Sequence, residues 1–341
     1  MFLTIAIPVY NKELYIERLL KSVIMQNSDD YEILIVDDGS TDNSLNICRR
    51  WQKKMPDLIR IIEKENEGSL LTRRVCINEA RGDYIYFVDA DDYLIDSNFI
   101  SEAKEIILEK KCDLLFFNIS SKSTLVPCCH YGFRDQTIFK DEQLVNIYKL
   151  AIAGDSLNSL CNKIFHRNLV DWKEDYLLYP RLTNGTDMFQ CMPILFKAKK
   201  IVYWDKVAYY YQIDNNTSSI VHSYNATTYD SLKINYLRLK ELCDKKQLIS
   251  SEYETALKNR FMMFVSTAAF KIRFSQNTDE DRLKNYEYLK TIGNDDLFRQ
   301  EYQKKYYKDL SLPRNIIIYF LYKKWFRLLC NLLMMSIFKR W

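Results

Sequence analysis

Gly82-Asp83-Tyr84-Ile85-Tyr86-Phe87-Val88-Asp89-Ala90-Asp91-Asp92 sets an unbroken aromatic and β-branched run directly before three carboxylates within four residues. Residues 84–88 have the composition of a short strand buried on both faces. The acids then fall where such a strand leaves its sheet. Carboxylates are costly to bury, so a cluster there calls for a cation or a ring of donors. In extended geometry Asp89 and Asp91, two residues apart, point to one side. A hard divalent ion holding a diphosphate would satisfy both. A solvated turn is the alternative, with Asp92 capping the helix that follows.

Upstream, the same grammar repeats. Residues 3–9 suit an inner strand, and 12–27 carry Leu14, Ile16, Leu19, Leu20, Val23 and Ile24 at helical spacing. Residues 31–36 form a second apolar run, ending in Asp37-Asp38-Gly39-Ser40-Thr41-Asp42, a turn before a helix at 43–54. A third strand at 58–63, a loop at 65–68 and a helix at 69–81 lead back to the opening stretch. Strands alternating with helices predict a mostly parallel, doubly wound α/β sheet. Ligands of such sheets sit beyond the carboxyl ends of the strands, where Asn11, Asp38 and Asp89 all fall.

Downstream the pattern loosens. A helix at 99–111 and a strand at 113–119 precede an irregular stretch at 120–136, and a helical segment at 141–153 follows. Then come Asn162-Lys163-Ile164-Phe165, the polar turn Asn184-Gly185-Thr186-Asp187 opening a helix, a strand at 200–204, and Val207-Ala208-Tyr209-Tyr210-Tyr211. From about residue 224 the reading is helical, over 225–245, 252–273, 279–291 and 295–308. No acidic residue follows Asp309, whereas Arg314, Lys323, Lys324, Arg327, Lys339 and Arg340 interleave with apolar residues. The uncharged runs there fall short of the roughly 20 apolar residues that a bilayer span needs. Two readings stay open: a cationic amphipathic helix on an anionic membrane surface, or a terminal helix packed on its own domain. The organisation expected is therefore 1–221, a helical region 222–309, and a basic tail 310–341.

Composition narrows the function classes. The 341 residues, 48% hydrophobic and 28% charged, suffice for one large α/β domain and a smaller unit. Only 7 glycines are present, and neither G-x-G-x-x-G nor G-x-x-x-x-G-K occurs. With 3 histidines and no C-x-x-C, a structural zinc site is not expected. Nine dispersed cysteines and a start that reads as a strand, not a leader, suit a reducing cytoplasmic setting. A net charge of +4 does not point to nucleic acid, which is not an expected partner.

The ordered set Ile7-Pro8-Val9-Tyr10-Asn11, Val36-Asp37-Asp38-Gly39-Ser40-Thr41-Asp42, Asn66-Glu67-Gly68 with Arg73, and Gly82-Asp83-Tyr84-Ile85 leading to Asp89-Ala90-Asp91-Asp92 resembles the family 2 glycosyltransferases of the GT-A fold. Asn162-Lys163-Ile164-Phe165, Thr186-Asp187-x-Phe189 and Tyr209-Tyr210-Tyr211 with Ser219-Ile220 are similar to later signatures of bacterial members that build surface polysaccharides. The resemblance covers about 1–221 and implies an inverting, divalent-metal-dependent transferase using Mn2+ or Mg2+. It would move a sugar from a nucleotide-sugar, UDP-linked by preference, onto a glycan or lipid-linked hydroxyl, in the cytoplasm or at the inner membrane face.

By that resemblance Pro8, Tyr10, Glu13 and Asp38 line the nucleoside pocket, with Asp38 accepting a uracil-type N–H. Arg73 reaches the donor phosphates, Asp89 the ribose or metal, and Asp91 the metal; where relatives have an arginine and this chain has Gln212, Arg73, Lys163 or the Ser218-Ser219 loop is expected to hold phosphate instead. His222, read from its residue type, is a third metal ligand or an ordinary surface histidine. Asp187 is the catalytic base, its alternative being a helix N-cap. Departures from the pattern are Thr186 for a glutamate, Arg74 and Cys76 for asparagine and glycine, Cys161 for a tryptophan, and Gln212 for an arginine. A nucleotidyltransferase, or a non-catalytic nucleotide-sugar-binding scaffold, is the competing class.

Overall fold

The computed structural model describes residues 1–179, 182–213, 225–275, 278–303 and 307–334. The chain divides into two compact units. The first holds Met1–Ala151, Asp155–Tyr179 and Thr186–Ile213, and the second is chiefly the helical C-terminal part.

The first unit is built on one mixed sheet. Its strands are β1 (Leu3–Val9), β2 (Tyr31–Asp37), β3 (Ile59–Glu63), β4 (Tyr84–Phe87), β5 (Tyr93–Leu94), β6 (Leu114–Ser120), β7 (Ile138–Lys140), β8 (Lys163–His166) and β9 (Lys200–Tyr210). They lie in the order β3-β2-β1-β4-β8-β6-β9-β5, with β7 also on β9. The helices are α1 (Ile16–Ile24), α2 (Ser44–Lys54), α3 (Ser69–Glu79), α4 (Phe99–Lys110), α5 (Leu144–Ala153) and α6 (Thr186–Lys197). β1 runs parallel to β2, with Leu3 opposite Tyr31 and Val9 opposite Asp37. It also runs parallel to β4, with Leu3 opposite Tyr84 and Ala6 opposite Phe87. The carboxyl ends of these strands therefore share one edge, and the acids that follow β2 and β4 emerge along it. Leu3, Ile5, Ile7 and Val9 are buried on this sheet with Ile33, Ile35 and Tyr86, at about 1.5–3 kcal/mol for each fully buried large side chain.

Two features differ from the sequence expectation. The segment beginning at Lys163 is a strand, β8, inserted antiparallel between β4 and β6. The sheet is parallel only over β3-β2-β1-β4 and across β6 and β9. The strand expected at 200–204 runs on to Tyr210 as one long strand, β9, whose pairing with β6 jumps from Trp204 to Val207. Extra residues on one strand of a pair make a bulge that bends it, and here the bend lets β9 also reach β5.

The second unit holds α7 (Thr228–Lys245), α8 (Ser251–Phe270), α9 (Asp279–Asn294), α10 (Asp296–Glu301), α11 (Leu312–Tyr322) and α12 (Phe326–Met334). α10 is much shorter than the helix expected at 295–308. α7 lies against α8, where Tyr236 stacks on Phe261 at 4.4 Å. The described part of the basic tail packs here too: α11 on α8 and α12 on α9, with Ile317, Ile318, Leu321, Phe326, Leu329 and Leu333 buried. Among the described residues no helix is long and apolar enough to cross a membrane.

Asp92 fixes the turn after β4. It does not cap a helix: it is fully buried, one oxygen accepting from the Tyr209 hydroxyl and the other from the Gln212 amide at 2.7 Å. The Tyr209 hydroxyl in turn accepts the Asp89 N–H at 3.2 Å, so β9 holds the acidic turn by two of its residues. Burial, then the charge of Asp89, pushes the Asp92 carboxyl up to about 8, against the donors that pull it down. The unfolded chain loses this proton near pH ~4 and the folded chain keeps it longer. The stability carried by the retained proton is thus complete below pH ~4 and disappears as pH climbs to about 8. Urea unfolding across pH 5–8 (about neutral) should show wild-type stability falling relative to Asp92→Asn, which has no proton to lose. Parallel curves would remove Asp92 as the titrating group.

Candidate active site

The loops beyond β1 and β2 are tied together by the short polar residues of the Asp37–Asp42 turn. Asn11, at φ 51°, accepts the Thr41 N–H on its side-chain oxygen at 2.8 Å. Its own N–H donates to the Ser40 hydroxyl at 3.1 Å, and the Lys12 N–H donates to the Ser44 hydroxyl at 2.7 Å. Glu13 accepts the Asn43 N–H at 2.9 Å beside the start of α2, a favourable place for an anion. Gly39 has φ +71°, and a Cβ there would stand 3.0 Å from the Asn66 nitrogen. Only glycine lets the third loop close over this turn without strain.

Asp38 departs from the expectation of an open base-binding carboxylate. It is 3% exposed and its acceptors are already engaged, by the Lys64 ammonium at 2.6 Å and the N–H groups of Glu67 at 3.0 Å and Gly68 at 2.9 Å. In this conformation it pins the loop that leads into α3. Pro8 is half-buried on β1 opposite Val36, and Tyr10 is exposed at the strand's end.

Arg73, on the second turn of α3, is 6% exposed and forks between two acids. One terminal nitrogen meets Asp89 at 3.0 Å and the other donates to Asp187 at the start of α6. Acids 98 positions apart in sequence (187 minus 89) thereby sit one guanidinium apart. Burial opposes the Arg73 charge, but Asp187 and Asp89 outweigh it and hold the guanidinium firmly protonated. For Asp187 the balance runs the other way: burial lifts its carboxyl above the usual range despite the pull of Arg73. The carboxylate remains one-third accessible, with 34% of its side chain exposed. Thr186 places its hydroxyl 3.4 Å from that of Ser69.

Asp91 faces Lys12 at 2.6 Å, and its carbonyl accepts from Arg18 at 2.7 Å. Arg18 also reaches the Gln212 side chain at 3.1 Å and lies 4.5 Å over the Tyr93 ring. Lys163 is fully buried in β8, its ammonium donating to the Ser159 carbonyl at 2.6 Å and Asn162 Oδ1 at 2.7 Å. It is thus turned into the protein and away from solvent. Ser219 and His222 lie outside the described residues.

The donor set suits a hard cation. Among the described residues no group of three His, Cys, Asp or Glu could hold a metal. Asp91, 29% exposed, and Asp89, 27% exposed, nevertheless offer oxygen ligands at one turn. One or two carboxylates, with phosphate oxygens and water, are how Mg2+ is usually held beside a nucleotide. Sequence reading missed Lys12, Lys64 and Arg18, whose flexible stems give no positional signal, and could not name the donors of Asp92, which come from β9 and Gln212.

Residues 4–125 match the family model described as Glycosyl transferase family 2. The chain is 28% identical over 225 residues to Glycosyltransferase GlyA of Streptococcus pneumoniae, across 64% of this chain and 32% of the relative. It is 28% identical over 305 residues to a poly(ribitol-phosphate) β-glucosyltransferase of Bacillus spizizenii, across 86% of this chain and 45% of the relative. The chain therefore spans about half or less of the length of these relatives. Among solved structures, residues 1–349 of TarS from S. aureus in complex with UDP-GlcNAc superpose with a TM-score of 0.56 at 19% identity, covering 89% of this chain and 93% of that one. The ordered loops and the matched model agree that residues 4–125 carry a glycosyl transferase family 2 domain, and the likeness to TarS shows that the fold is of the GT-A type.

Proposed function

We infer that this chain transfers a sugar from a UDP-sugar, with inversion, onto a hydroxyl of a glycan or lipid-linked acceptor in cell-surface polymer synthesis. The observation that carries the reading is the Arg73 fork, which joins the acidic turn after β4 to Asp187 at the head of α6. The UDP-GlcNAc complex of the TarS neighbour and the poly(ribitol-phosphate) relative support the donor and the polymer class.

In this mechanism Asp187 accepts the proton of the acceptor hydroxyl as its oxygen forms the new bond to the anomeric carbon. The bond from that carbon to the diphosphate breaks on the opposite face, and the electron pair leaves with the phosphate oxygen. The upward shift of Asp187 makes it a stronger base than an ordinary carboxylate. Arg73 orients it, and Lys12 and Arg18 place positive charge beside the turn. Asp91 and Asp89 would hold Mn2+ or Mg2+, which supplies charge compensation for the departing diphosphate. Tyr10, Pro8 and Glu13 border the nucleoside side of the strand edge. Ser219 and His222 keep their proposed phosphate and metal roles.

Asp187→Asn should lower kcat about 1,000-fold while leaving UDP-sugar affinity within about threefold by titration calorimetry. Turnover close to wild type would end the base assignment. Asp91→Ala should abolish the divalent-ion dependence of UDP binding, measured with and without Mn2+; an unchanged dependence would move the ion elsewhere. Arg73→Met leaves two acids facing each other and should cost roughly 3 kcal/mol in urea unfolding. A screen of UDP-, GDP- and dTDP-sugars by thermal shift tests the donor class. Release of pyrophosphate from a nucleoside triphosphate and a sugar phosphate would favour a nucleotidyltransferase instead.

A further inference from the structure

The corner between α11 and α12 is built from both sides. α11 ends with Lys324 at φ 60°, its N–H donating to the Leu321 carbonyl at 3.1 Å, while the Trp325 N–H donates to the Phe320 carbonyl at 3.0 Å. This is the paired bonding of a Schellman ending, and its usual apolar contact is present, with the Phe320 and Trp325 rings 5.4 Å apart. From behind, Arg299 donates to the Tyr322 carbonyl at 2.7 Å. Gly293 of α9 lies so close that a Cβ there would stand 2.4 Å from the Phe326 ring. The corner is therefore fixed in shape, although its outer side is unusually apolar.

That outer side carries Leu312, Ile316 and Tyr319 along one face of α11, 62%, 38% and 42% exposed, and Trp325 and Leu328 beyond the corner, 47% and 49% exposed. Lys323, Lys324 and Arg327 are exposed among them, with the Lys323 ammonium 5.7 Å from the Tyr319 ring. A groove beside Trp325, bounded by Tyr286, Lys324, Arg327 and Leu328, contains no acid. Arg314, by contrast, is turned inward onto Met263, Ser266 and Thr267 of α8. Among the described residues the cations of the tail thus divide: one stitches α11 to α8, and three ring the exposed apolar face.

Exposed tryptophan and tyrosine interleaved with lysine and arginine match a membrane interface, where rings settle at the headgroup level and cations meet anionic lipid. A protein partner would have to present acids to these three cations, whereas an anionic leaflet presents them everywhere. We propose that the α11–α12 corner is a docking surface for an anionic lipid bilayer, seated through Trp325, Leu328, Tyr319 and Ile316 and held by Lys323, Lys324 and Arg327. It binds peripherally, without crossing.

The test uses the full chain and sedimentation with vesicles of phosphatidylcholine, with or without phosphatidylglycerol. Partitioning should require phosphatidylglycerol and fall in high salt. Lys323→Ala with Lys324→Ala should weaken it about 30-fold, from the worth of each cation near a charged leaflet. Trp325→Ser with Leu328→Ser should weaken it at least about tenfold. Lys53→Ala with Lys54→Ala, on α2, should change it by less than about twofold. Circular dichroism and UDP binding confirm that each variant is folded. The proposal is overturned by absent partitioning of the folded chain, by equal binding to neutral vesicles, or by an equal loss in the α2 control. It is overturned as well if the Trp325 and Leu328 variant leaves lipid binding intact but turns a dimer into a monomer by light scattering, which would make this face a contact between copies.

Discussion

A buried guanidinium shared by two carboxylates is the constraint on which the sheet-bearing unit of this molecule turns. Arg73 cannot leave its place without exposing Asp89 and Asp187 to one another, and neither acid can relax without stranding a cation in a nearly dry position. The elements around it serve that geometry. α3 is aimed by the loop that Asp38 pins, Asp89 is delivered by β4, and Asp187 rides on the first turn of α6. A sheet contributes rigid strand ends, and the chemistry collects where they stop.

The same economy of charge recurs along the edge. Asp91 has Lys12, Asp38 has Lys64, and Asp92, which makes no ion pair among the described residues, is relieved instead by a hydroxyl, an amide and retention of its proton. Acids gathered this tightly would repel one another if all were ionised and unpaired. Giving each acid its own partners lets the cluster persist while Asp187 stays partly accessible.

Much of this was legible in advance, for identifiable reasons. β1, β2 and β4 are covered on both faces, so they read as continuous apolar runs and their ends could be located to within a residue. The acids mattered because they sat at those ends. β8 was not legible: a short strand slipped antiparallel between two others carries no periodicity of its own. Nor were the cations, since a lysine stem can reach many places and only the assembled fold decides which. The acid-free stretch after Asp309 was plain in the sequence, but the inward turn of Arg314 depends on α8 and could not be read from α11 alone.

β9 closes the sheet late, and this has a bearing on how the molecule is made. Its pairings reach back to residues 93–94, 114–120 and 138–140, and Asp92 waits about 120 residues for Tyr209 and Gln212. As the chain leaves the ribosome, the first four strands can assemble from neighbours already synthesised, whereas the acidic turn stays without its anchors until that distant strand arrives. Non-local closure of this kind is slow, and it leaves unpaired strand edges open to stray association in the interval. Truncation before residue 200 would therefore leave the first four strands paired and the acidic turn without Tyr209 and Gln212.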